Sequence, residues 1–160
     1  MLFKCLAIMT AFIALSGFTP FLFATVHEPR HQTPILVYHR FGPTVANSMT
    51  VSTRSFESQL AVIREGGYHV IPLREFVDSI VSGGSLPPRS VVITADDGHE
   101  SIYTEMVPRL KREGFSATLF IYPSAISNAK WAMTWTQLIE LEKGGLSISN
   151  RIRTAPECQD

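Results

Sequence analysis

The sequence alternates short apolar runs with longer segments of helical periodicity, and this alternation constrains the fold more than any other feature. The apolar runs cover residues 35–39, 68–71, 90–96 and 117–122. In the segments that follow them, apolar residues recur every three or four positions, and glycines close most of these segments. Apolar runs without polar alternation are typical of strands buried on both faces. The pattern therefore predicts an α/β fold in which helices cover a parallel sheet.

Two adjacent aspartates, Asp96 and Asp97, end the third apolar run and precede Gly98. Consecutive side chains on a strand point to opposite faces, so two neighbours can serve one site only where the strand ends. One carboxylate can bind a divalent metal while the other accepts a proton, and the metal offsets their mutual repulsion. The alternative is a turn with an Asp cap on the next helix, and the residues alone leave both interpretations open.

Several stretches resemble the NodB-homology polysaccharide deacetylases, and they occur in the right order. They are ILVYH at 35–39, FESQL at 56–60, TADDG at 94–98, ATLF at 117–120 and MTWTQL at 133–138. Ala95 stands where the family usually has an aromatic or aliphatic residue. The similarity runs from about residue 34 to 145 and is greatest to the branch that acts on poly-N-acetylglucosamine. It implies a partial (β/α) barrel of about four β-α units.

The resemblance also implies a metal-dependent hydrolase that removes N-acetyl groups from an N-acetylglucosamine-type polymer of the cell envelope. By position, Asp96 would be the general base and Asp97 a ligand of a divalent metal, commonly zinc. His39 and Tyr38, at the end of the first strand, would line the substrate site, although His39 could equally be a structural histidine. Hydrolysis of O-acetyl groups stays open, because the same activated water can attack either acyl group.

The family's second metal-binding motif, two histidines four positions apart, is missing after residue 99. The five histidines lie at positions 27, 31, 39, 69 and 99. Because a catalytic zinc site usually takes three protein ligands, we predict an incomplete site and a weakly active or inactive chain. The alternatives are a non-catalytic carbohydrate-binding remnant and a non-functional fragment.

The end of the sequence departs from the family pattern. Residues 147–160 lack the apolar run of a buried strand. We therefore predict a deacetylase domain over 34–145 that is truncated before the second motif, and an aberrant tail over 146–160. The strand at 117–122 would then have an exposed edge.

The N-terminus predicts export to the periplasm, the cell envelope or the extracellular space. Residues 1–24 carry Lys4 and then an uncharged apolar stretch, as in a signal peptide, or else form an uncleaved membrane anchor; 25–33 is a polar linker. Membrane contact is expected only through this leader if it stays uncleaved. A formal net charge of +0 argues against a nucleic-acid surface. The HEPRH stretch at 27–31 matches the zinc-protease pattern, but Pro29 would break the helix that this pattern requires.

Overall fold

The computed structural model describes residues 32–45 and 47–150, and for 148–150 it describes only the backbone. The predicted signal peptide or anchor at 1–24, most of the linker and the tail beyond residue 150 lie outside the described residues. Within the described ranges, no helix combines the length and the hydrophobicity needed to cross a bilayer.

Strands and helices alternate along most of the described chain. The strands are β1 (Ile35–Tyr38), β2 (Arg40–Gly42), β3 (Thr50–Ser52), β4 (His69–Val70), β5 (Ser90–Ala95), β6 (Thr118–Ile121) and β7 (Ser147–Asn150). The helices are α1 (Thr53–Glu65), α2 (Leu73–Ser82), α3 (Val107–Glu113) and α4 (Trp135–Lys143). A π-helical segment, Ile102–Met106, leads directly into α3.

The central strand of the main sheet is β5. The sheet has the order β1-β5-β6-β7, and β4 also pairs with β5. All of these pairings are parallel, with Tyr38 opposite Ala95 and Ala95 opposite Leu119. Strands β2 and β3 form a separate parallel pair. The prediction of an α/β fold with parallel strands is confirmed, whereas closure of these strands into a barrel stays a prediction.

Residues 147–150 lack the apolar run of a buried strand, and they nevertheless form the strand β7. This strand pairs with β6 in parallel, from Ser147 opposite Thr118 to Asn150 opposite Ile121. The edge of β6 that we expected to be exposed is therefore paired. The SISN sequence has no apolar run, but a strand is defined by its backbone hydrogen bonds rather than by apolar side chains.

The helix predicted from about residue 100 to 113 is divided into the π-helical segment and α3. Pro108 lacks the N–H group that an α-helix would direct at the carbonyl group of Thr104. In the structure Pro108 lies in the first turn of α3, directly after the π-helical segment, and this change of helix type accommodates its missing donor.

Helices α1, α3 and α4 cover one face of the sheet. Buried side chains from that face and from these helices form the core, among them Ile93, Leu119, Leu60, Leu110 and Leu141. Helix α2 has no buried residue, although its apolar residues recur at helical spacing.

Candidate active site at the carboxyl edge of the sheet

The two aspartates lie in a tight turn that begins where β5 ends. Asp96 follows Ala95 directly, and its backbone N–H donates to the carbonyl oxygen of Tyr38 at 2.8 Å. Asp97 and Gly98 both adopt left-handed backbone conformations, with φ of 73° and 75°. Aspartate tolerates this region better than most residues, and glycine adopts it freely. The helical backbone begins at Glu100, directly after His99, and Ser101 makes no side-chain cap hydrogen bond to the π-helical segment.

The structure brings His39 and Asp96 together. The register of β1 and β5 places Tyr38 opposite Ala95, so the next residue of each chain segment emerges at the same edge. His39 Nε2 lies 3.9 Å from Asp96 Oδ2, and the two side chains are 25% and 15% exposed. This distance exceeds a hydrogen bond, but it allows an ion pair when the imidazole is protonated.

Tyr38 lies in the core, and the structure does not place it in the site with His39. Its hydroxyl donates to Gln59 Oε1 at 2.8 Å, and its ring packs against Phe41 at 5.5 Å and Phe56 at 5.1 Å between centroids. Side chains of neighbouring residues in a strand point to opposite sides, so the side chains of Tyr38 and His39 point away from each other. The role that follows for Tyr38 is to anchor the chain beside His39.

We expect the folded chain to lose stability in alkali through Tyr38. Burial raises the pKa of this phenol from 10.0 to about 12. At pH values between these two limits the unfolded chain has released the proton and the folded chain has kept it. The free energy of unfolding should therefore fall by about 1–2 kcal/mol between pH 9 and pH 11.5. Urea denaturation at pH about 9 and about 11.5 measures the change, and a Tyr38→Phe variant with an equally steep decline would contradict the assignment.

His99 is held in a fixed orientation beside the aspartate turn. Its Nδ1 accepts from the backbone N–H of Ser101 at 3.1 Å and lies 2.9 Å from the Ser101 hydroxyl, which itself accepts from the Phe41 N–H at 2.9 Å. Since Nδ1 is an acceptor, we assign the proton of the neutral ring to Nε2. Desolvation by burial, together with the positive charge of Arg40, lowers the pKa of His99. The imidazole is therefore neutral and immobile near neutral pH.

Sequence reasoning missed three residues near this edge. The Ser101 hydroxyl contacts both His99, in the aspartate turn, and the backbone of Phe41, in β2. Tyr122 directly follows β6. Arg40 has a buried Nε with no hydrogen-bond partner among the described atoms. The position of Tyr122 after a buried strand could have indicated its place, whereas the contacts of Ser101 join residues 60 positions apart and have no local signal.

The described residues do not fit a complete metal site. Within the ranges 32–45 and 47–150, no three His, Cys, Asp or Glu side chains lie close enough together to hold a metal ion. Asp96, Asp97, His39 and His99 all lie in this region, but they do not converge as three ligands on one point. A catalytic zinc ion usually requires three protein ligands, so this arrangement does not complete a zinc site. Its carboxylates can still accept a proton.

The polysaccharide deacetylase family matches residues 83–157 of this chain, a range that continues past residue 145. The chain is 30% identical over 123 residues to YxkH of Bacillus subtilis (strain 168), named as a candidate polysaccharide deacetylase; the match covers 77% of this chain and 43% of that protein. It is 36% identical over 63 residues to the poly-beta-1,6-N-acetyl-D-glucosamine N-deacetylase of Escherichia coli (strain K12), covering 39% of this chain and 9% of that protein. The chain thus spans less than half the length of either relative.

The fold is similar to that of the Streptococcus pyogenes deacetylase PplD, solved in complex with acetate. The TM-score is 0.67 at 22% sequence identity, over 74% of this chain and 55% of that one. At this identity the likeness concerns the fold alone. The carboxylate pair at the strand end lies within the range that the polysaccharide deacetylase model matches, and the sequence relatives of this chain are polysaccharide deacetylases.

Proposed function

We propose that this chain carries one part of a polysaccharide N-deacetylase active site, comprising the proton acceptor Asp96 and one metal-binding carboxylate, Asp97. The observation that carries the proposal is the placement of both aspartates in the turn after β5, with His39 Nε2 3.9 Å from Asp96 Oδ2. A structural turn would need neither a second carboxylate nor an imidazole at this distance.

In the proposed chemistry, Asp96 accepts a proton from the water that attacks the carbonyl carbon of the acetamide. The C–N bond then breaks as its nitrogen takes up that proton, and a free amino sugar and acetic acid, which ionises to acetate in solution, leave. With 15% of its side chain exposed, Asp96 is within reach of water, yet it is sheltered enough for its charge to act strongly on a neighbour.

A divalent metal, with zinc as the first candidate, would polarise the acetamide carbonyl in a complete site. Asp97 supplies a single carboxylate, and three ligands do not converge among the described residues. We therefore assign no reaction step to a metal in this chain, and we propose weak or absent deacetylase activity for it.

The proposed substrate is an acetylated polysaccharide of the N-acetylglucosamine type. Its support is the name of the Escherichia coli relative, which acts on poly-beta-1,6-N-acetyl-D-glucosamine, and the acetate bound in PplD. Export to the periplasm, envelope or extracellular space is part of the proposal and rests on the apolar residues 1–24.

A second candidate function is binding of the polymer without turnover. The observation that favours it is that three metal ligands do not come together anywhere in the part of the chain that the structure describes. Oligosaccharide binding that is insensitive to a chelator, without acetate release, would distinguish this function from catalysis.

We expect the purified chain, incubated with zinc and a tetramer of N-acetylglucosamine, to release acetate no faster than its Asp96→Asn variant. An enzymatic acetate assay makes this measurement. Any zinc binding should be weak and should weaken further in Asp97→Asn, which keeps the left-handed turn but removes the charge. Zinc-dependent acetate release that Asp96→Asn abolishes would contradict the proposed inactivity, and zinc binding unchanged in Asp97→Asn would contradict the ligand assignment.

A further inference from the structure

Trp131 is fixed in place by its backbone rather than by burial. It is 39% exposed, although tryptophan usually buries most of its large apolar ring. Its carbonyl oxygen accepts a hydrogen bond from the Glu100 N–H at 2.8 Å. The next two residues also pair with the aspartate turn. Ala132 forms an antiparallel β-bridge with His99, and the Met133 N–H donates to the Gly98 carbonyl oxygen at 2.9 Å. The position of Trp131 relative to the aspartates is therefore set by the turn that carries them.

The indole ring of Trp131 stacks on the imidazole of His99. The ring centroids are 6.0 Å apart and the planes differ by 16°. Ser101 holds the imidazole through both of its contacts with Nδ1, at 2.9 and 3.1 Å. The two parallel rings, which we call the His99–Trp131 stack, thus form a rigid aromatic surface that begins two residues after Asp97.

We infer that the His99–Trp131 stack is a sugar-binding subsite, which holds a hexosamine ring of the polymer next to the carboxylates. The inference rests on the proposed function for its substrate class. A β-linked pyranose ring is amphipathic, with C–H groups on its flat faces and hydroxyl groups around its rim. An exposed indole offers a matching apolar face, and the polar rim of the sugar stays in water.

The stack suits a neutral sugar better than it suits protein packing. A ring that served the core would be covered, as the buried Met133 is two residues later. Trp135 offers a matched comparison, because it is 46% exposed but lies in the first turn of α4 rather than in the stack. If exposure alone determined sugar binding, the two tryptophans would bind equally.

The test is a titration of the full chain with a tetramer of N-acetylglucosamine, in buffer with EDTA, followed by NMR of the indole N–H groups. The chain has two tryptophans, so Trp131→Phe and Trp135→Phe variants assign both signals. We expect the Trp131 signal to shift saturably. Trp131→Ala should weaken binding about five- to tenfold, and Trp131→Phe less than about threefold, since a phenyl ring keeps part of the stacking surface. Trp135→Ala should bind like the unchanged chain.

Three outcomes would overturn the inference: no binding of the tetramer, a shift confined to the Trp135 signal, or equal affinity in a Trp131→Ala chain that circular dichroism shows to be folded. Binding in EDTA separates this inference from the proposed catalysis. If the tetramer binds through Trp131 and no acetate is released under any condition, the subsite is supported and only the proposed deacetylase site is in question. If acetate is released and Trp131 is not involved in binding, only the subsite is wrong.

Discussion

Phe56→Ala is expected to lower the free energy of unfolding by about 3–5 kcal/mol, which is the usual cost of truncating a buried aromatic ring. Phe56 is 0% exposed, and its ring centroid lies 5.1 Å from that of Tyr38 and 4.8 Å from that of Phe41. Tyr38 and Phe41 lie on either side of His39 in the chain, where β1 passes into β2. The cavity left by the missing ring would therefore lie directly beneath one wall of the candidate site.

Urea denaturation of both proteins measures this loss, with Val62→Ala as the matched control. Val62 lies on the same helix as Phe56 but is 64% exposed, so its truncation should change stability by less than about 0.5 kcal/mol. Equal effects of the two substitutions would show that the packing of Phe56 on Tyr38 and Phe41 does not contribute to the free energy of unfolding.

Gly98→Ala is expected to destabilise the fold by about 2–4 kcal/mol, through backbone strain and crowding together. Gly98 has a φ of +75°, which L-residues with a Cβ rarely adopt. An added Cβ would lie 3.0 Å from Ile126 Cδ1 and 3.3 Å from Ile121 Cγ2. Relief of this contact would move the turn that carries Asp96 and Asp97, so we expect loss of the His39–Asp96 proximity as well.

The control for Gly98 is Gly114→Ala. Gly114 has nearly the same φ, +69°, but a Cβ there would meet nothing within 4 Å. Only the backbone cost of about 1–2 kcal/mol should remain at this position. The difference between the two variants in thermal unfolding therefore isolates the crowding against Ile126 and Ile121. No difference would mean that the turn can shift freely.

The apolar strands of the main sheet and most helices were predictable because their signals are local. Continuous apolar runs gave β1, β5 and β6, and the spacing of Phe56, Leu60 and Ile63 gave the buried face of α1. The position of the aspartates at the end of a buried strand was equally local. That one position was enough to predict which edge of the sheet carries the carboxylates.

The rest depended on contacts between distant residues. The polar strand β7 forms because β6 offers it a partner, and the sequence of β7 alone carries no such sign. Tyr38 is buried in the core because its hydroxyl donates to Gln59 and its ring packs against Phe56. The stack of His99 on Trp131 joins two loops that the chain separates by a helix and a strand. No period or spacing within a short window encodes these pairings.

The left-handed backbone of Asp97 affects how mutational data at the aspartate pair should be interpreted. A residue with φ of 73° is restricted to a small set, chiefly Gly, Asn and Asp, whatever its chemistry. A preference for aspartate at position 97 in a selection experiment would therefore mix conformational tolerance with ligand function. Position 96 is not among the residues with positive φ, so intolerance there would report on the carboxylate itself.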